Sequence, residues 1–283
     1  MAGGRPGGDI GREGYDRGVA APEGADHELV RIRLVVAYLG TGLRGFAAQP
    51  GLDTVAGRLE AAIGRYARRS VRVVGAGRTD AGVHAFGQVV HVDVPEAAAD
   101  PEALARSCNR QLAPAIVIRE ATAVGASFDA RRSAVARRYR YLLATGQHPN
   151  PLLAAYSWWV GPLELAAMRL ALDAIVGEHD FSSFCRRPPG GDGPLVRRVL
   201  QARVAPVAAA PPVDDLDGLV AFEIEANAFC HQMVRALTAL LVHVGKGRVP
   251  ASAMGSVLDA RSRAGLPTLA PPAGLCLLAV RYQ

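Results

Sequence analysis

A single aspartate stands in the middle of a glycine-rich segment that follows a short apolar run. Residues 75–84 read GAGRTDAGVH. Glycines after a strand are typical of phosphate loops, but a dinucleotide loop has a third glycine where this chain has Asp80, and a Walker loop contains Gly-Lys-Ser/Thr. A carboxylate within such a loop would also repel phosphate. The pattern therefore favours carboxylate chemistry over phosphate binding.

Arg78 lies two residues before Asp80, which puts both side chains on one side of an extended segment. An ion pair with Arg78 would keep Asp80 ionised in a partly buried site. An ionised, desolvated aspartate can act as a nucleophile or as a base. The alternative is an Asx turn, in which Asp80 bonds only its own backbone. The residues alone leave both interpretations open.

The second candidate segment is basic and aromatic. Residues 131–141 contain five arginines and two tyrosines, and their alternation predicts a strand. One face carries Arg137, Tyr139 and Tyr141, and the other carries Arg138 and Arg140. Arginines that hold phosphates beside a ring that stacks on a base are what single-stranded or looped RNA requires. The alternative is an edge strand whose charges prevent aggregation.

The third segment is residues 227–235, which read NAFCHQMVR. An apolar stripe predicts a helix over residues 231–244. His231 and Arg235 lie one turn apart on that helix, so both could project into a cleft, or each could simply face solvent. The residues do not decide between these possibilities.

The elements that must position these residues alternate irregularly along the chain. The patterns predict strands over residues 30–38, 71–74, 88–94, 116–120, 135–143, 197–207, 219–226 and 275–282, and helices over 54–66, 101–111, 163–176, 231–244 and 252–260. This order favours an α+β fold with a largely antiparallel sheet over a doubly wound parallel one. We predict a disordered extension over residues 1–28 and two α+β halves, 29–128 and 129–283, with exposed loops near 186–194 and 208–218.

Composition excludes several classes of protein. No apolar run approaches the roughly 18 to 20 residues of a membrane helix, so no membrane association is expected. The formal net charge is +6, every basic residue except Lys246 is arginine, and residues 1–28 hold three basic against six acidic residues, which favours nucleic acid as partner of the rest. The four cysteines are widely spaced without a C-x-x-C pair, which argues against a disulfide framework and a zinc site and favours a reducing, cytoplasmic location.

Taken together, the three segments resemble the TruA-type tRNA pseudouridine synthases. The resemblance rests on GRTDAGVHA at residues 77–85, ARRYRY at 136–141 and NAFCHQMVR at 227–235, and the order matches from about Leu29 to Tyr282. Leu39, Phe46 and Ala56 stand where the family usually has Asp, Trp and Gln. The resemblance implies a pseudouridine synthase fold, in which two similar α+β halves pack their sheets side by side around a central cleft.

The resemblance also implies a function. Members isomerise uridine to pseudouridine at positions 38, 39 and 40 of the tRNA anticodon stem-loop, as homodimers and without a cofactor or metal. By motif, the implied catalytic residues are Asp80 as nucleophile, Arg78, Tyr139 and Arg235, and the implied substrate-binding residues are Tyr139, Arg137, Arg138, Arg140 and His84. The alternative function is a non-catalytic RNA-binding protein or RNA chaperone, which would use the arginines and leave Asp80 incidental.

Overall fold

The computed structural model describes residues 28–187, 190, 193–207 and 218–283. The predicted extension over residues 1–28 lies outside the described residues except for Glu28, and so does the predicted loop over 208–218 except for Gly218. Within the described ranges, no helix is long and apolar enough to cross a bilayer.

The described residues form ten strands and five α-helices, joined in places by short 3-10 turns. The strands are β1 (Leu29–Tyr38), β2 (Val74–Gly75), β3 (His84–Pro95), β4 (Ile116–Val124), β5 (Ala134–Ala144), β6 (Trp158–Trp159), β7 (Gly177–Asp180), β8 (Val196–Pro206), β9 (Leu219–Ala226) and β10 (Leu275–Tyr282). The helices are α1 (Val55–Ala67), α2 (Pro101–Leu112), α3 (Leu165–Leu172), α4 (Met233–Gly245) and α5 (Ala253–Ala260).

All ten strands belong to one sheet, in the order β4-β1-β3-β10-β5-β9-β8-β7, with β2 beside β3 and β6 beside β5. Neighbours are antiparallel except for β10 with β3 and β5 with β6. The α+β fold with a largely antiparallel sheet is therefore confirmed. Strand β10 joins β3, from the predicted first half, to β5, from the second; the division near residue 128 stays a prediction.

The core crosses from one predicted half to the other. Helices α1 and α2 pack together beside β4, while α3, α4 and α5 pack with one another near β8. One continuous cluster of buried apolar side chains includes Leu34 and Val92 with Tyr141, Phe222 and Leu237. Burial of this shared apolar surface holds both groups of helices on the same sheet.

Local hydrogen bonding moves two predicted helix starts. Helix α1 begins at Val55 rather than at residue 54, because Thr54 is the N-cap and its hydroxyl accepts the Gly57 N–H. Helix α4 begins at Met233 rather than at residue 231, because Gln232 has a φ of +68°, a left-handed conformation that cannot continue into the helix.

Two of the four widely spaced cysteines meet in the structure. The side chains of Cys185 and Cys230 are in contact, with Cα atoms 5.6 Å apart and a sequence separation of 45 residues. Their segments run side by side, since the Arg186 N–H donates to the His231 carbonyl at 2.9 Å. Sequence spacing carries no signal of such a long-range approach.

Candidate active site

The loop between β2 and β3 that carries Asp80 is held from below by buried polar contacts. The Tyr38 hydroxyl is hydrogen-bonded to the Thr79 hydroxyl at 2.8 Å, and the Gln88 side-chain amide donates to the Gly77 carbonyl at 2.9 Å. Tyr38 and Gln88 come from β1 and β3 and are almost fully buried. The loop is therefore fixed to the sheet, while the Asp80 side chain keeps 23% exposure.

The first loop, between β1 and α1, packs along the same segment. The Phe46 N–H donates to the Thr79 carbonyl at 3.1 Å. Gly45 has a φ of +94°, and a Cβ there would lie 3.0 Å from the Thr79 carbonyl oxygen, so the close approach requires glycine. Phe46, one of the departures from the family pattern, is buried in this contact.

Two basic side chains from the far end of the sequence reach the Asp80 carboxylate. Arg235 Nη1 donates to Oδ2 at 2.9 Å, and His231 Nε2 lies 3.4 Å from Oδ1. Arg235 also donates from Nε to the Ala270 carbonyl at 2.8 Å, which fixes its guanidinium. An ionic hydrogen bond of this kind stabilises the negative charge of the carboxylate.

His231 and Arg235 do meet in space, although not on one helix. His231 lies in the turn before α4 and is half exposed, whereas Arg235 lies in the first turn of α4 and is mostly buried. His231 is not among the catalytic and substrate-binding residues that the family resemblance implies. Its one signal in the sequence is its position four residues before Arg235.

Tyr139 lies on β5 with its ring buried beside the Asp80 loop. The ring meets Phe229 edge-on at a centroid distance of 5.0 Å, and a Cβ built on Gly77 would lie 3.9 Å from the Tyr139 hydroxyl. Burial raises the pKa of Tyr139 well above its ordinary value of 10, so the hydroxyl is neutral near neutral pH. It can therefore donate a hydrogen bond to a substrate.

Arg78 does not form the expected ion pair with Asp80. Its side chain is exposed, and the basic groups within ion-pair distance of Asp80 are Arg235 and His231. Thr79 turns its hydroxyl inwards to Tyr38, so the loop presents Arg78 to solvent instead. Arg78 remains free to meet a substrate at the mouth of the site.

The faces of β5 alternate as predicted, but the side that holds Arg137 is buried. Arg137 is 9% exposed, and its guanidinium donates only to backbone carbonyls, which corrects the expectation of direct RNA contact. On the opposite face, Arg140 is paired with Glu223 at 2.6 Å, whereas Arg138 is exposed. Arg138 and Arg140 therefore lie across the sheet from Tyr139.

His84 is also internal, which corrects the expectation that it binds substrate. Its Nδ1 accepts the Gly40 N–H at 3.0 Å, and its Nε2 is bonded to the Ala155 carbonyl at 3.0 Å. Burial lowers the pKa of His84 below its ordinary value of 6.5. The neutral ring ties the first loop to the segment before β6.

Exposed arginines lie on the segments that adjoin the Asp80 loop. Arg44 lies in the first loop, which packs along the Asp80 segment. Arg131 and Arg132 lie in the turn before β5, and the Arg131 carbonyl accepts a hydrogen bond from Arg137. With Arg78, these residues form a basic rim, a name used below for Arg44, Arg78, Arg131 and Arg132. A separate surface pocket of about 430 Å³, lined by Glu60, Arg65 and Arg69 among others, includes none of the residues around Asp80.

The site combines three features: a carboxylate oriented by an arginine, an aromatic ring beside it and the basic rim. This combination suits chemistry on a nucleotide, which has a base and a phosphate, rather than on a free small acid. A family model described as tRNA pseudouridine synthase matches residues 34–131 and 171–283. The chain belongs to this family. Its members are isomerases that act on tRNA.

Relatives in the tRNA pseudouridine synthase family align over nearly the whole chain. The tRNA pseudouridine synthase A of Frankia casuarinae is 43% identical over 90% of both chains. Those of Paracidovorax citrulli and Chromobacterium violaceum are 41% and 39% identical over 90% and 89% of this chain and 94% and 93% of their own. A solved Cbf5-Nop10-Gar1 complex aligns with 87% of this chain and 48% of its own at 13% identity, with a low TM-score of 0.34.

Proposed function

We propose that this tRNA pseudouridine synthase isomerises uridines 38, 39 and 40 in the anticodon stem-loop, with Asp80 as the nucleophile. In the reaction the N1–C1′ bond breaks, the uracil turns, C5 bonds to C1′, C5 loses its proton and N1 gains one. Whether a carboxylate attacks C1′, adds to C6 or takes the C2′ proton, it must lie where base and sugar meet. The observation that carries the proposal is the fixed Asp80 carboxylate beside Tyr139.

Arg235 and His231 prepare the carboxylate for this role. Arg235 holds Oδ2 in one direction, because its own guanidinium is anchored on the Ala270 carbonyl. Oδ1 faces the half-exposed His231, and the Asp80 side chain keeps 23% exposure, so the carboxylate is accessible beside that imidazole. The target nucleotide would enter there and place its ribose against Asp80.

Tyr139 receives the uracil of the flipped nucleotide. Extruding a base costs a few kcal/mol of stacking and pairing, which stacking on an aromatic side chain offsets in part. The Tyr139 hydroxyl is neutral and can hydrogen-bond the uracil while C5 loses its proton. Phe229 packs against the Tyr139 ring and keeps its orientation.

The basic rim holds the phosphates on either side of the flipped nucleotide. Arginine binds phosphate as a planar fork, and these side chains are exposed around the site. Arg138, on the other face of β5, would contact a more distant part of the tRNA. We further propose that the enzyme acts in the cytoplasm as a homodimer; Leu152, Tyr156 and Trp159, apolar and exposed between β5 and α3, are candidates for its interface.

The test uses a tRNA transcript that carries tritium at C5 of its uracils. Isomerisation releases tritium to water, whereas binding does not. Transcripts with uridine at only one of positions 38, 39 and 40 assign the positions. Tight binding without tritium release would instead identify a non-catalytic RNA-binding protein, and sedimentation of the free enzyme measures its oligomeric state.

A further inference from the structure

The guanidinium of Arg137 lies inside the protein between backbone segments. It donates from Nη1 to the carbonyls of Ala134 and Asn227 at 3.0 and 2.8 Å, and from Nη2 to those of Ala76 and Arg131 at 3.0 and 2.8 Å. All four acceptors are backbone oxygens. A planar guanidinium with five donors is the side chain that can satisfy this arrangement.

Two of these carbonyls belong to the segments that meet at the candidate catalytic carboxylate. Ala76 lies four residues before Asp80 in the loop after β2, and Asn227 lies four residues before His231 in the segment after β9. Hydrogen bonds from the single guanidinium of Arg137 join the two segments. The segments that carry Asp80 and its basic partners are therefore linked through this residue.

Burial of the Arg137 guanidinium is energetically unfavourable for its positive charge. Burial lowers the pKa of Arg137 from its ordinary value, because desolvation disfavours the charged form. Four carbonyl dipoles compensate for that cost, and among the described residues no carboxylate accepts a hydrogen bond from the guanidinium. Because these hydrogen bonds go to backbone carbonyls, the guanidinium holds backbone segments together.

We propose that Arg137 is a positioning residue that sets the distance between the Asp80 loop and the segment carrying His231 and Arg235. The inference rests on the proposed function, because the geometry it protects is that of the proposed site. Arg137 acts through the carbonyls of Ala76 and Asn227 and does not touch the tRNA.

The test compares Arg137→Lys with a matched variant, Arg31→Lys. Lysine keeps the charge, but its ammonium cannot reach four carbonyls arranged around a planar fork. We expect kcat to fall about 100-fold, as for a small misplacement of catalytic groups, with KM for tRNA unchanged. Arg31 also donates to two backbone carbonyls, Ala126 and Phe128, but lies on β1 away from the site, so Arg31→Lys should keep the wild-type kcat.

Amide hydrogen exchange gives a readout that is independent of catalysis. Residues 76–82 and 227–233 should exchange faster in Arg137→Lys and at the wild-type rate in Arg31→Lys. If Arg137→Lys does not fold, Arg137→Gln, which keeps an amide donor, should show the same fall in kcat with an unchanged KM for tRNA.

Three results would overturn the inference. A raised KM with unchanged kcat would place Arg137 on the RNA surface. Wild-type kinetics and wild-type exchange rates in Arg137→Lys would show that its hydrogen bonds do not position the two segments. An equal loss of kcat in Arg31→Lys would show that the effect is general destabilisation of the protein. If the wild-type enzyme released no tritium, the proposed function would fail by itself, and the exchange measurement would still decide whether Arg137 holds the two segments.

Discussion

Arg235 donates a hydrogen bond to the Asp80 carboxylate at 2.9 Å, although the two residues are 155 positions apart in the sequence. The Arg235 side chain is only 15% exposed, and its second anchor on the Ala270 carbonyl leaves it little freedom. The carboxylate is therefore oriented before any nucleotide arrives. A preorganised group of this kind lowers the barrier without having to be ordered during the reaction.

Asp80→Asn should abolish pseudouridine formation and leave tRNA binding largely intact. The amide keeps the shape of the side chain but is neither a nucleophile nor a base, so kcat should fall more than about 1,000-fold. Tritium release and filter binding measure the two effects. Asp93→Asn is the matched control, since Asp93 also pairs with an arginine, Arg31, but lies outside the site. A kcat of Asp80→Asn within about 1,000-fold of the wild-type value would reject the assignment.

Arg235→Lys should lower kcat by about 100-fold, because one ammonium cannot contact both Asp80 and the Ala270 carbonyl in the geometry of the guanidinium. The free enzyme should unfold at nearly the wild-type temperature. Arg169→Lys, where the arginine bonds only the Val204 carbonyl, is the control and should keep full activity. Full activity of Arg235→Lys would mean that the orientation of Asp80 does not depend on this bond.

Tyr139→Phe tests the contribution of the Tyr139 hydroxyl to catalysis separately from that of the ring. The ring contact with Phe229 persists, so KM should stay near the wild-type value, whereas loss of the hydroxyl should lower kcat by about 100-fold. Single-turnover kinetics on the tritiated tRNA measure the chemical step. A wild-type rate would restrict Tyr139 to stacking.

Arg78→Ala should weaken binding to all tRNAs to a similar degree. Removing one phosphate contact should reduce the slope of log K against log salt concentration by about 1. Arg106→Ala is the control, because Arg106 lies on α2 and pairs with Glu102. An unchanged salt dependence of tRNA binding in Arg78→Ala would show that Arg78 does not contact a phosphate.

Acid should destabilise the folded enzyme through His84 and His91. Burial lowers the pKa of both below the ordinary 6.5, and their Nδ1 atoms accept the N–H groups of Gly40 and Ala130. The unfolded chain therefore binds more protons, so this contribution to the free energy of unfolding is complete above pH 6.5 and falls as the pH drops below it. Urea unfolding at pH 7.5 and 5.5 measures the fall.

His84→Asn retains an acceptor for the Gly40 N–H but does not titrate, so its stability should fall less between these pH values. His148→Asn replaces an exposed histidine and should follow the wild type. Equal pH dependence in all three proteins would show that His84 does not contribute.

Sequence patterns predicted much of the fold because hydrophobic periodicity is local. The alternation along β5 assigned Arg137 and Tyr139 to one face correctly. The same alternation put Arg137 on a face with Tyr139 and Tyr141, and those two rings were the available sign that this face is buried.

Long-range contacts could not be predicted in the same way. The partner of Asp80 comes from α4, so spacing around Asp80 pointed to Arg78 instead. The contact between Cys185 and Cys230 likewise depends on segments that only the folded sheet brings together. The family resemblance identified Arg235, because a family motif can include residues that come together only in the folded protein.

Strand β10 follows every other described element in the sequence, yet it lies in the middle of the sheet, between β3 and β5. During synthesis, a ribosome has to complete residues 275–282 before the strands that position Asp80 and Tyr139 can be joined. Nascent chains that lack these residues expose two sheet edges and carry an unassembled site. Competence for tRNA modification therefore requires that residues 275–282 have been synthesised and have joined the sheet.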